Sequence, residues 1–434
     1  MNKASKKFVT MFLAAGFLFS LCGAVACGGG TTSGSNSGTG SDSGSGNQTN
    51  DNWGVYFPIP TMNAEKKLLV VGEDVEINEE VGRNKALTLS AIQGLANREE
   101  VTMYLNYALE KDSQYPNDYW LQDMVDNYGV TTETMSFEQA IEYYKEMAGD
   151  DAGFVTYSTE YVPAVGTDES RSLTAAINIC AIRGWIPVEE SLKDTATNIW
   201  NLTEKLDATE MTDKDVFEEY KDEFDNSILI QQRPMENKDY GLVMVGLRDY
   251  AIANKFFTFY DDGLGQVTAN YRKEVHAWAK PNKPILGWGP GDEGEHISYA
   301  SEAGQFPIPS DYSFNLSVTS ADIFQEGELK QKNQFEPITP EAGKHYVAIG
   351  RSDGDNITTW QTEFVHSLTD FGSPDRGSEE FPMAWSISPA LSEIFPALMR
   401  DVYRDSNAYD YFIAPVSGQA YMYPTVFPDE YKDD

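Results

Sequence analysis

Two aspartates, Asp353 and Asp355, flank a glycine in the stretch SDGDN at residues 352–356. Carboxyl groups two residues apart at a strand end can lie within the roughly 5–9 Å that separates the acid and base of a glycosidase. The same oxygens could bind Ca²⁺ or Mg²⁺, although the residues that follow Asn356 do not fit the EF-hand pattern. Asp, Gly and Asn are also what a tight turn requires. Three interpretations therefore stay open: an acid–base pair, a cation site and a structural turn.

The elements around this stretch are predicted to bring further polar residues to the same place. Apolar runs at residues 345–350, 381–385 and 409–415 alternate with helical patterns, which indicates three parallel strands joined by crossovers. In such sheets ligands bind beyond the carboxyl ends of the strands. The loops that leave these strands supply the candidate substrate-binding residues Asn356, Trp385, Ser417, Gly418, Tyr421 and Tyr423.

A second candidate loop is GWGPGDEGEH at residues 287–296. Its glycine spacing is not GxGxxG, and its three acids would repel a phosphate, so a phosphate-binding loop is excluded. Trp288, Asp292 and Glu293 could instead form a second sugar-binding or catalytic loop, and the alternative is a solvated acidic turn.

The N-terminus is predicted to direct the protein out of the cytoplasm. Residues 1–26 combine three lysines with a short apolar stretch, which is the pattern of a secretory signal peptide. The ending Ala-Val-Ala before Cys27 resembles a bacterial lipobox, which implies that Cys27 is lipidated. Residues 27–52 are rich in Gly and Ser and predict a flexible tether. We therefore expect an extracytoplasmic protein, lipid-anchored to the bacterial cell membrane or cell surface.

Charge and composition narrow the partners. The net charge of −36 disfavours nucleic acid and anionic membranes, so the lipid anchor is the expected membrane contact. The four histidines form no HExxH or His-x-His pair, which argues against a histidine-based zinc site, and no cofactor is predicted. Neutral ligands, cations and glycans remain, and the Tyr and Trp side chains could stack on sugar faces or pack in the core.

The body of the chain is predicted to contain several small α/β modules. Recurring strand-and-helix patterns place them at residues 53–150, 151–235 and 236–340, followed by a domain at 341–434. The apolar run SILIQQ at residues 227–232 is assigned to the second of these modules.

Several segments together resemble the GxGYxYxP family of putative glycoside hydrolases. They are SGQAYMYP at 417–424, SDGDN at 352–356, AWSISPAL at 384–391, AIQGLANRE at 91–99 and ILGWGPGDEGE at 285–295. The match departs at Ala420, where the name motif has its second glycine, and Pro424 follows Tyr423 directly. The resemblance implies N-terminal α/β modules and a catalytic domain of (β/α) barrel type. It makes Asp353 and Asp355 the leading acid–base candidates.

A complete barrel needs about 250 residues, far more than residues 345–434 provide. We therefore expect an incomplete barrel and a truncated chain. The predicted function is a glycoside hydrolase acting on neutral glycans through carboxylate acid–base chemistry. The alternative is a non-catalytic glycan-binding or surface-assembly lipoprotein.

Overall fold

Parallel β-sheets follow one another along the chain in the computed structural model. It describes residues 56–77, 79–107, 117–159, 171–232, 245–260, 265–289, 293–332, 339–361, 382–416 and 418–432. The strands are β1 Lys67–Val71, β2 Met103–Leu105, β3 Thr131–Met135, β4 Gly153–Tyr157, β5 Ile186–Glu189, β6 Thr203–Asp207, β7 Asp225–Gln232, β8 Phe256–Tyr260, β9 Lys283–Gly287, β10 Gln305–Ile308, β11 Gly350–Arg351, β12 Met383–Ser386 and β13 Asp410–Ile413.

Helices connect these strands, and several begin at recognisable caps. Ser136 forms a capping box at the start of one helix, and Pro396 occupies the first turn of another, where its missing N–H is tolerated. The α-helices are Glu80–Ala96, Asn117–Tyr128, Phe137–Ala148, Arg171–Arg183, Lys193–Asn198, Asp213–Tyr220, Arg248–Asn254, Gly265–Trp278, Glu293–Glu302, Leu316–Thr319, Ile357–Thr359, Leu391–Ile394 and Pro396–Asp405. Short 3₁₀ turns occur at Gly149–Asp151, Glu190–Leu192, Lys221–Glu223, Asp322–Phe324 and Asp429–Tyr431.

The earliest strand is central in the first and second sheets, β7 and β9 are central in the third, and β12 is central in the fourth. The strand orders are β2-β1-β3, β5-β4-β6, β10-β9-β7-β8 and β11-β12-β13, and every pairing is parallel. The expected α/β architecture with parallel sheets is confirmed. All carboxyl ends within one sheet therefore lie along one edge.

The strand β7 departs from the predicted module boundaries. The sequence pattern predicts its SILIQQ segment in the module at residues 151–235, yet β7 pairs with β8 and β9 and belongs to the third sheet. An apolar run reveals that a strand is buried and does not reveal which neighbours it pairs with.

The fourth sheet is shorter than its sequence pattern indicates. Of the run at residues 345–350 only Gly350 joins β11, while residues Tyr346, Val347 and Ile349 are 52%, 84% and 42% exposed. Among the described residues no layer covers these apolar residues, so they give no burial energy to extend the strand. The described strands form separate sheets and no closed barrel, so the barrel stays a prediction.

Two hydrophobic clusters hold the sheets together. The first joins the inner residues of the first and second sheets to one face of the third, for example Val71, Phe154 and Leu229. The second joins the other face of the third sheet to the fourth, for example Ile230 and Trp385. The third sheet is thus covered on both faces, and residues Asn50–Asp434 form one compact unit.

Buried polar contacts add to this connection. Gln93 in the helix Glu80–Ala96 donates to the side-chain oxygen of Asn315 at 2.6 Å, and Asn97 donates to Ser317 at 2.9 Å. The first and third sheets are therefore joined by hydrogen bonds as well as by packing, since such buried groups are costly to separate from their partners.

The predicted signal peptide at 1–26 and the whole predicted tether at 27–52, including Cys27, lie outside the described residues. Within the part of the chain that is described, no helix combines the length and apolarity needed to cross a membrane.

Candidate active site

The turn that carries the two aspartates is held tightly against the end of β12. Asp353 has a left-handed backbone with φ of +70°. A Cβ atom on Gly354 would lie 1.5 Å from the carbonyl oxygen of Ser386, so only glycine fits there. The Ser388 N–H donates to the Gly354 carbonyl at 2.8 Å. The glycine therefore fixes how the flanking carboxylates are presented.

The residues after this turn fasten it to the third sheet. The Asn356 side-chain oxygen accepts from the Thr359 N–H at 3.1 Å and caps a short helix. The Ile357 N–H donates to the Pro309 carbonyl at 3.0 Å, just beyond β10. The Asn356 side chain, predicted to bind substrate, thus stabilises this turn by capping the helix, and its contact with a ligand stays a prediction.

The two aspartates have different surroundings. Asp353 is exposed, whereas Asp355 is partly buried and its carboxylate accepts a hydrogen bond from the Tyr421 hydroxyl. Burial raises the pKa of the Asp355 carboxyl, and the negative charges of Asp353 and Glu293 raise it further, while the bond from Tyr421 opposes the rise. A carboxyl with a raised pKa beside an exposed carboxylate is the kind of pair that divides acid and base roles.

Tyr421 belongs to the loop after β13 and is held at the site by a backbone hydrogen bond to β10 of the third sheet. Its N–H donates to the Pro307 carbonyl at 3.1 Å. Burial raises the pKa of the Tyr421 hydroxyl, and so do the charges of Asp355 and Glu293, so the phenol stays a hydrogen-bond donor at neutral pH.

An aromatic wall borders the carboxylates. The ring of Trp288, in the loop after β9, lies edge-on to Tyr421 at a centroid distance of 5.3 Å and to His296 at 4.9 Å. Trp288 is partly exposed. The charge of Glu293 acts on both Asp355 and Tyr421. Trp288 and Glu293 of the predicted second loop therefore lie at the same site as the aspartates.

The remaining predicted site residues make none of the contacts described above or lie outside the described residues. Trp385 is fully buried, and its indole N–H donates to Asp410 at 2.8 Å, so stacking of this ring on a sugar is incompatible with its place in the core. Tyr423 is 36% exposed, and its N–H donates to the Ser301 hydroxyl at 2.9 Å. Gly418 is partly exposed with φ of +83°. Ser417 and Asp292 lie outside the described residues.

Two further residues were missed by the sequence analysis. Gln231, near the end of β7, and His296, in the helix Glu293–Glu302, are 2% and 5% exposed and lie beside the loop that carries Trp288. The available signals were the polar pair that ends the apolar strand SILIQQ and the place of His296 at the end of the candidate loop GWGPGDEGEH.

No group of three or more His, Cys, Asp or Glu side chains within the described residues has the arrangement of a metal site. A cation at Asp353 and Asp355 therefore stays a prediction.

The fold and site define a class: an α/β protein of parallel sheets with an acidic, aromatic-walled site between the third sheet and the fourth. Family models match at three places. They are described as "GxGYxYP putative glycoside hydrolase C-terminal domain" at residues 343–434, "GxGYxYP third domain" at 226–321 and "GxGYxYP_N 1st domain" at 75–146. The chain belongs to the GxGYxYP family.

The family motif is GxGYxYP, in which proline follows the second tyrosine directly, so Pro424 after Tyr423 fits it and the departure expected there is wrong. In Gly418-Gln419-Ala420-Tyr421-Met422-Tyr423-Pro424 only Ala420 departs from the motif. Because Ala420 is 1% exposed, its methyl group is part of the core beneath the loop.

Among solved structures, the chain is similar to the crystal structure of a putative hydrolase from Bacteroides thetaiotaomicron VPI-5482. The two are 27% identical with a TM-score of 0.72, over 88% of this chain and 68% of the other. No curated protein matches the chain.

Proposed function

We propose that the protein is a glycoside hydrolase that cleaves neutral glycans, with Asp355 as general acid and Asp353 as its partner carboxylate. The observation that carries this proposal is the convergence of Asp355, Tyr421 and Trp288 from loops after three different strands. Membership of the GxGYxYP family and the likeness to a structure described as a hydrolase support the same reaction class.

In this mechanism the protonated Asp355 gives its proton to the glycosidic oxygen as the bond from that oxygen to the sugar carbon breaks. Asp353, exposed to solvent, removes a proton from the water whose oxygen bonds to the same carbon. The bond from Tyr421 holds the Asp355 carboxyl in one orientation. Trp288 offers its ring to a sugar face, and Glu293 with the overall charge of −36 disfavours anionic sugars.

The test is release of reducing ends from a panel of neutral polysaccharides by the wild-type protein and by Asp355→Asn. The Asn side chain keeps the shape and cannot donate a carboxylic proton, so we expect a loss of at least about 100-fold, the usual contribution of general acid catalysis. Asp150→Asn, a change of the same chemistry at an exposed turn, should release sugar at the wild-type rate. Equal release by Asp355→Asn and wild type would exclude Asp355 as the acid.

We also propose that the protein is held at the bacterial cell surface by a lipid on Cys27. The lipobox-like sequence and the Gly/Ser-rich stretch that follows support this location.

A further inference from the structure

Beside the aspartates, the third sheet carries buried polar atoms that have no partner among the described residues. Both side-chain atoms of Gln231, Oε1 and Nε2, lack a hydrogen bond, and so does Nε2 of His296. Buried amides and imidazoles are nearly always hydrogen-bonded, and each such exception calls for a physical reason. Here two of them occur at one place.

These side chains converge on Gly289. A Cβ atom built on this residue would lie 2.3 Å from the Gln231 Nε2 atom and 2.9 Å from the His296 Nδ1 atom. Any other residue type would therefore push against both polar groups. We call the set of Gln231, Gly289 and His296 the Gln231 pocket.

The Gln231 pocket lies next to the proposed catalytic residues. Trp288 precedes Gly289 in the chain, and its ring lies against both His296 and Tyr421. Tyr421 in turn binds Asp355. A ligand lying along Trp288 could therefore reach both Asp355 and the pocket.

The chemistry of the pocket suits a neutral polar group. The Gln231 amide both donates and accepts hydrogen bonds. Burial lowers the pKa of His296 to about 3, so its ring is uncharged at neutral pH and offers one donor and one acceptor. A hydroxyl group, which can donate one hydrogen bond and accept others, matches this set, whereas these three residues offer no cation to a carboxylate or phosphate. The positive charge of Arg272 acts on His296, and its guanidinium is paired with Glu295 at 3.9 Å.

We propose that Gln231, Gly289 and His296 form a subsite that binds a hydroxyl group of a neutral glycan extending from Asp355 past Trp288. This inference deepens the proposed function and rests on it for the direction of the glycan. Binding itself does not require cleavage, so the two can be tested apart.

The test measures binding of an array of neutral oligosaccharides, followed by titration calorimetry with the strongest binder. Gln231→Met keeps a similar volume and removes both polar atoms. We expect glycan binding at least about tenfold weaker, the size of one lost hydrogen bond pair, with the ligand-free melting temperature unchanged or higher. His296→Phe, which keeps an aromatic ring against Trp288, should weaken binding similarly and provides a second variant if Gln231→Met does not fold.

Gln232→Met is the matched control. Successive side chains of a strand point to opposite faces, so Gln232 is directed away from the pocket, and its variant should bind glycan as the wild type does.

The outcomes separate the two proposals. Wild-type affinity in Gln231→Met and His296→Phe would overturn the subsite, because the pocket would then hold at most a structural water, and would leave hydrolysis by Asp355 standing. The subsite would be retained and the proposed catalysis refuted by weaker binding in both variants together with either of two results: Asp355→Asn releases glycan as fast as the wild type, or neither protein releases any. A wild-type protein that binds no neutral glycan on the array would overturn the subsite.

Discussion

A buried ion cluster between the first and fourth sheets predicts how stability depends on pH. Asp401 is 1% exposed, and its carboxylate accepts from the Tyr119 hydroxyl at 2.8 Å and from Arg404. Arg404 also pairs with Asp123 at 2.7 Å. Burial outweighs these favourable partners and raises the pKa of Asp401 from an ordinary 3.8 to about 6.

The sign of the effect follows from linkage. Because the folded pKa of Asp401 is raised, its contribution to stability is complete below about pH 3.8 and is lost as the pH rises through about 6. The rise in pKa corresponds to a loss of about 3 kcal/mol in the free energy of unfolding when Asp401 ionises. Asp401→Asn accepts the same hydrogen bonds and cannot ionise, so the variant should gain about 3 kcal/mol relative to wild type between pH 3.5 and pH 7.5.

The assay is denaturant unfolding of both proteins at a series of pH values, with the difference between their free energies of unfolding plotted against pH. Comparing variant with wild type cancels the titration of every other group that keeps its surroundings. The exposed Asp150→Asn should leave this difference flat. An equally flat line for Asp401→Asn would refute the reasoning that burial outweighs the pairing with Arg404.

Three further predictions concern the site and the anchor. Tyr421→Phe removes the hydrogen bond that holds the pKa of Asp355 down, so that pKa should rise further, which carboxyl-carbon NMR can follow and an unchanged titration would contradict. Gly354→Ala forces a Cβ to within 1.5 Å of a carbonyl oxygen and should lower the free energy of unfolding by more than about 2 kcal/mol, whereas Gly350→Ala, with its nearest atom at 3.6 Å, should be tolerated. Cys27→Ala should move the protein from the membrane fraction to the soluble fraction of cells, and the proposed anchor fails if the distribution does not change.

Much of the site was predictable because it depends on local order along the chain. Strand ends followed by polar loops placed Asp355 and Tyr421 at one edge, and the parallel sheet brought them together. Trp385 shows the limit of that rule. Being at a strand end does not determine which face a side chain occupies, and this indole points into the core.

What the sequence could not provide were contacts between sheets. Gln231 and His296 form a binding set only because the loop with Gly289 packs against both side chains, and no spacing of residues in the sequence predicts that contact. The same holds for β7, whose apolar side chains would suit either of two neighbouring sheets and whose pairing depends on packing on both faces.

The two shared cores bear on how this protein could have evolved. Since each hydrophobic cluster draws residues from more than one sheet, a segment copied alone into another gene would carry bare apolar faces and a tendency to aggregate. Recombination that moves one such segment alone would therefore seldom give a folded protein, even though the sequence of each segment can be recognised separately. We expect the three sequence segments matched by the family models to be inherited as a set, with changes in one sheet compensated in its neighbour.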